Sequence, residues 1–181
     1  IASNVKDLGD GLGQTKEGFG RVVYRENFLV PAESSRRFST DDKYGHGTHV
    51  AGILAGNGFL SSGTKATKTY RGVAPEAHLI DLQVLNEFGE GSDAAVIEAI
   101  DRAIELRKKH NIRVINLSLG RRVAESFAFD PLCRAVQRAW KAGIVVVVAA
   151  GNEGRFNGMG NQGYGTISAP GNDPFVITVG A

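Results

Sequence analysis

Residues 144–150 read Ile-Val-Val-Val-Val-Ala-Ala, with Gly143 before them and Gly151 after. A β-branched run bounded by Gly predicts a strand covered on both faces, which is the setting of a parallel sheet. Residues 78–85 (HLIDLQVL) and 113–119 (RVINLSL) have the same character, and 175–179 (FVITV) is a weaker fourth. Between these runs the apolar spacing turns helical. Residues 92–110 place Val96, Ile97, Ile100, Ala103, Ile104 and Arg107 three and four apart. Ser92 and Asp93 suit the N-terminal cap of this helix, and its basic end suits the macrodipole. A second helix opens at Asp130-Pro131, a cap followed by Pro at the first helical position, and stops at Gly143. Another starts near His46 and runs through Val50, Ala51, Ile53 and Leu54. Strand and helix in alternation predict an α/β fold of three layers, a mostly parallel sheet with helices on both faces. The first forty-odd residues and residues 56–72 lack clear periodicity and read as surface loops.

Composition narrows the function. At 181 residues the chain is one domain's worth, with neither an internal repeat nor a linker, and is long enough to bury a sizeable core. Gly, 24 of 181, is roughly twice its usual share and clusters beside the apolar runs. That argues for tight turns and close backbone approach, which binding clefts need. The net charge of +2 is spread along the chain, and its densest basic cluster, residues 107–110, closes a helix. A nucleic-acid partner is therefore not expected. No apolar stretch approaches the ~20 residues of a membrane span, and residues 1 onward show no signal-peptide pattern. A single cysteine, Cys133, cannot make an internal disulfide.

Ligands on parallel sheets bind at the carboxyl ends of the strands. That rule directs attention to residues 86–92, 118–121 and 149–154, each rich in Gly, Ser or Asn. The strongest local signal is Tyr44-Gly-His-Gly-Thr-His-Val-Ala-Gly52. A His flanked by two Gly residues at a helix start has an exposed ring and room for close backbone packing, which suits a general base. A metal pair of His46 and His49, or a structural His, remains open, although no third ligand stands at metal spacing and HExxH is absent. Asn152, between Gly151 and Glu153-Gly154, carries a neutral amide donor suited to an oxyanion, or is a turn residue.

The segment His-Gly-Thr-His-Val-Ala-Gly-Ile resembles the histidine signature of the subtilisin family of serine endopeptidases. Three further segments are similar in family order: Gly72-Val-Ala-Pro-Glu-Ala77, Val114-Ile-Asn-Leu-Ser-Leu-Gly120, and Val146-Val-Val-Ala-Ala-Gly-Asn-Glu-Gly154. The resemblance implies a subtilisin-like fold, with His46 as general base, His49 as a structural partner on the helix, and Asn152 in the oxyanion hole. It implies that Gly89, Glu90 and Gly91 pair main chain to main chain with an extended polypeptide substrate. Many relatives have Ser where this chain has Glu90. Ser118, Leu119 and Gly120 would line the other side of the cleft, with Ala150 and Gly151 near the base of the specificity pocket. A secreted or extracytoplasmic parent is implied as well.

The family's catalytic triad also needs an Asp and a Ser. Residues 4–8 (NVKDL) resemble the stretch just after the family's Asp motif, and residues 179–181 come before its Ser region. The chain is therefore expected to be part of a single peptidase domain, without the Asp-bearing strand and the Ser-bearing C-terminal part. Taken alone it is expected to be inactive, and the remaining segments of its own domain are possible partners. The alternative is a non-catalytic peptide-binding module on the same scaffold. Residues 165–170 (GTISAP) imitate the family's Gly-Thr-Ser-Met-Ala, but Ile167 breaks the spacing, so Ser168 reads as a loop residue before Pro170. Residues 58–65 (GFLSSGTK) imitate a phosphate loop with Thr-Lys in the wrong order. No cofactor is expected. Asp7 matches a position that binds calcium in some relatives, but no calcium loop is recognisable in residues 56–69, so no metal site is assigned.

Overall fold

A computed structural model describes residues 6–8, 20–35, 37, 40–154 and 164–180. Two short 3-10 turns, Lys6–Leu8 and Phe59–Ser61, accompany three helices and five strands. In chain order these are β1 (Val22–Asn27), α1 (His46–Ala55), β2 (Leu79–Gln83), α2 (Asp93–His110), β3 (Val114–Leu117), α3 (Pro131–Lys141), β4 (Val145–Ala149) and β5 (Ile177–Val179). All pairings between these strands are parallel, which makes the chain α/β as its alternation predicts. The strands form two sheets, β1-β2 and β3-β4-β5. The chain divides into two compact units, Ile1–Ala95 and Val96–Ala181.

In the first unit, β1 pairs with β2 and α1 lies between them in the chain, the crossover that a parallel pair requires. Leu8, Val22 and Ala51 form its buried cluster, with Leu79 packed against them. β1 corrects the reading of the first forty residues as loop. Its buried positions are Val22 and Glu26, and a carboxylate turned inward removes the apolar alternation that marks a strand. Glu26 is 2% exposed because it has partners: Arg37, itself 3% exposed, donates Nε–H to Oε1 at 2.9 Å, and Tyr24 donates its hydroxyl to Oε2 at 2.8 Å. The Arg37 guanidinium also lies 4.3 Å above the Phe28 ring centre. A loop read as solvated is thus pinned by a buried ion pair.

In the second unit, α3 packs on β4. Leu132, Ala135, Val136 and Ala139 form its buried stripe, and Ile144, Val146 and Val148 are buried with them. Each such Val, Leu or Ile contributes about 1.5–3 kcal/mol by leaving water. The cap expected at Asp130 is formed: its carboxylate accepts from Leu132 N–H at 2.9 Å and Cys133 N–H at 3.3 Å. α2 begins in the first unit, one residue after Ser92, whose hydroxyl accepts from Ala95 N–H at 3.2 Å, and continues into the second. Arg138 of α3 holds Asp101 of α2 through both carboxylate oxygens, at 2.8 and 2.9 Å. On the other face of the sheet, Val114, Val145, Ile177 and Val179 are between 36% and 57% exposed. Registers Val114↔Val145 and Val147↔Ile177 put these residues on one surface.

Candidate active site

His46 is the first residue of α1, with an exposed side chain, as its two Gly neighbours predict. The residue before it, Gly45, has φ 86°, a conformation that costs other residues strain, and offers the helix no side-chain cap. Asp42 takes that role from outside the helix. One of its oxygens accepts from Gly45 N–H at 2.8 Å; the other accepts from Thr48 N–H and the Thr48 hydroxyl, both at 2.7 Å. Burial works against the charged form of Asp42, but these three donors outweigh it and hold the carboxyl below its ordinary value. Gln83, the last residue of β2, fastens the same turn from below: its amide donates to Asp41 C=O at 2.8 Å and accepts from Asp41 N–H at 3.3 Å. His49 is exposed, so no packing supports the structural role given to it.

The segment after β2 is brought to the same place. The Tyr44 ring lies 6.5 Å from the His46 ring, centre to centre. Its other side covers Gly89 so closely that a Cβ on Gly89 would stand 2.8 Å from the ring carbons. Asn86 organises the turn between, accepting through its side chain from Phe88 N–H at 2.9 Å and Glu90 N–H at 3.0 Å. Asn86 N–H in turn donates to Glu90 C=O at 2.8 Å. Glu90 therefore spends its main-chain groups locally. Among the described residues, no hydrogen bond uses Gly89 C=O or Gly91 N–H. They leave one acceptor and one donor unused, groups with which the main chain of a bound peptide pairs.

The second unit carries the remaining candidates on neighbouring strands. Ser118, Leu119 and Gly120 follow β3, and Ala150, Gly151 and Asn152 follow β4, with Leu117 and Val148 in register. Asn152 is exposed. Ser168 lies outside helix and strand, as expected of a loop residue, but it is 7% exposed and packs against both glycines. A Cβ on Gly120 would stand 3.1 Å from the Ser168 Cβ, and one on Gly151 would collide with its Oγ. Its N–H donates to Ala150 C=O at 2.8 Å. Arg121 and Ala169 exchange hydrogen bonds at 3.0 and 2.8 Å, which ties the two segments together. Sequence reasoning missed Asp42, Tyr44, Asn86 and Ser168 as parts of these arrangements. Tyr44 and Asn86 lie in segments the sequence singled out, but neither their roles nor that of Asp42 was marked there.

Other chemistries find little support among the described residues. No group of three or more His, Cys, Asp and Glu side chains is placed to hold a metal ion. Asp7 is held by protein groups: its Oδ1 accepts from Leu60 N–H at 2.6 Å, and its carbonyl from Asn57 N–H and the Arg21 guanidinium, both at 2.9 Å. Burial, reinforced by Asp130 and Asp173, pushes the Cys133 thiol up to about 12, so it is no nucleophile at neutral pH.

Comparison with known proteins decides the family. The model of the subtilase family matches residues 24–181. The chain belongs to the subtilase family. Serine protease AprX of Bacillus subtilis (strain 168) is 44% identical over 148 residues, covering 77% of this chain and 30% of that protein. Subtilisin DY of Bacillus licheniformis is 36% identical over 148 residues, covering 82% and 46%. Among solved structures, the S41 psychrophilic protease matches with TM-score 0.69 and 34% identity, over 89% of this subtilase chain and 47% of its own. Sphericase matches with TM-score 0.66 and 30% identity, over 87% and 47%. The subtilase chain spans less than half the length of these relatives.

Proposed function

We propose that the protein containing these residues is a serine endopeptidase working by acyl transfer, and that residues 1–181 are part of its single peptidase domain. His46 is the general base. Asn152 donates its amide N–H to the oxyanion that appears only in the tetrahedral state, so its help goes to the transition state rather than to bound substrate. The unused Gly89 C=O and Gly91 N–H carry the reading, because they offer the main chain of a polypeptide an acceptor and a donor beside the His46 turn. Ser118, Leu119, Gly120, Ala150 and Gly151 contribute to substrate binding from the second unit. This reading takes the Asp that orients His46 and the nucleophilic Ser from other parts of the protein; Ser168 is buried and unsuited to attack. An extracytoplasmic location belongs to the same reading. No helix among the described residues is long and apolar enough to cross a membrane.

The test is hydrolysis of peptide anilides by the full-length protein. His46→Ala is expected to lower kcat by about 10⁶, the size known from subtilisin itself. Asn152→Ala is expected to cost about 10²–10³ in kcat with KM little changed, again a subtilisin magnitude. The 181-residue chain alone should leave the substrates uncut. A full-length protein that binds peptides without cleaving them would instead be a peptide-binding module.

A further inference from the structure

We propose that Asp42 is a positioning residue for His46, setting the aim of the general base through the backbone on either side of it. The proposal rests on the endopeptidase reading. Among the described residues no hydrogen bond reaches the His46 ring, so in this part of the molecule the backbone sets its direction. That backbone is weakly determined where it matters. Gly45 has no side chain to hold its torsions, and the first N–H groups of any helix lack intrahelical acceptors. The Asp42 carboxylate removes both freedoms. It grips the N–H before His46 and the N–H two residues after it, with the Thr48 hydroxyl as a third donor. His49 N–H closes the first turn on Gly45 C=O at 3.0 Å. One rigid carboxylate therefore spans the catalytic position, and Gln83 ties the residue next to it to the sheet.

A proton transfer from a nucleophile tolerates little misplacement: an error of about 1 Å can cost about a hundredfold in rate. The experiment uses full-length protein carrying Asp42→Asn, Asp42→Ala or Thr48→Val, with active sites counted by a serine-directed fluorophosphonate label. Per labelled site, kcat is expected to fall about tenfold in D42N and about a hundredfold in D42A, with KM within about twofold. Thr48→Val should lie between wild type and D42A. If D42A does not fold, D42N and T48V carry the test. A residue that only stabilises the helix would lower the melting temperature and the number of labelled sites but leave kcat per site at the wild-type value, and that result overturns the proposal. A wild-type protein that takes no label and cuts no peptide overturns the endopeptidase reading, and the proposal with it.

Discussion

Glu26 and Arg37 show what a single inward charge does to a strand. Both are almost wholly buried, and each meets the other with a hydrogen bond at 2.9 Å. Removing one partner strands the other charge in the interior, which costs about 3–5 kcal/mol, whereas replacing both with apolar residues is often neutral. Arg37→Met is therefore expected to lower unfolding free energy by about 3–5 kcal/mol, and adding Glu26→Leu to restore most of it. Urea denaturation of the four proteins of that double-mutant cycle, in the full-length background, checks this. Additive losses would mean that the pair does not act as a unit. The same pair explains why β1 was illegible. Periodicity reads apolar side chains, and here the inward position is made acceptable by a residue eleven places on, which no local pattern reports. Asp42 was hidden differently: it caps a helix from beyond a Gly, where the usual cap position is silent.

At the scale of elements, legibility followed local chemistry. α3 was readable because its start signal, Asp130-Pro131, and its stop, Gly143, both lie in the chain next to its ends. β4 was readable because four consecutive Val residues admit few alternatives. The anchoring of the first 3-10 turn was not, since Arg21 ties it to carbonyls far apart in the chain. Its guanidinium donates to Asp7 C=O at 2.9 Å, to Ala77 C=O at 3.2 Å, and to Ala55 C=O at the end of α1. Three carbonyls converging on one positive charge offer oxygen ligands of the kind that also suit a calcium ion. We propose that Arg21 serves there in place of one. Any change that calcium or a chelator makes to the melting temperature of the full-length protein is then expected to be the same in wild type and Asp7→Asn. A calcium-dependent shift lost in that variant would show that Asp7 binds the ion.

For the molecule as a whole, the open surfaces matter most. Parallel sheets ordinarily have both faces covered, yet Val114, Val145, Ile177 and Val179 lie bare on one side of β3-β4-β5. Among the described residues, β1, β2, β3 and β5 each also have one edge without a strand partner. Bare edges recruit other chains. The 181-residue chain on its own is therefore expected to dimerise or aggregate at micromolar concentration. Light scattering together with amide exchange checks this, and a protected, monodisperse monomer would overturn it. The division into two units has a further consequence, for synthesis. The first unit draws its core from Leu8, Val22, Ala51 and Leu79, all of which are made before residue 96. At about 5–20 residues per second, translation of the second unit takes a further 4–20 s or so. The turn bearing His46 can thus take shape on the nascent chain while Asn152 is still unmade.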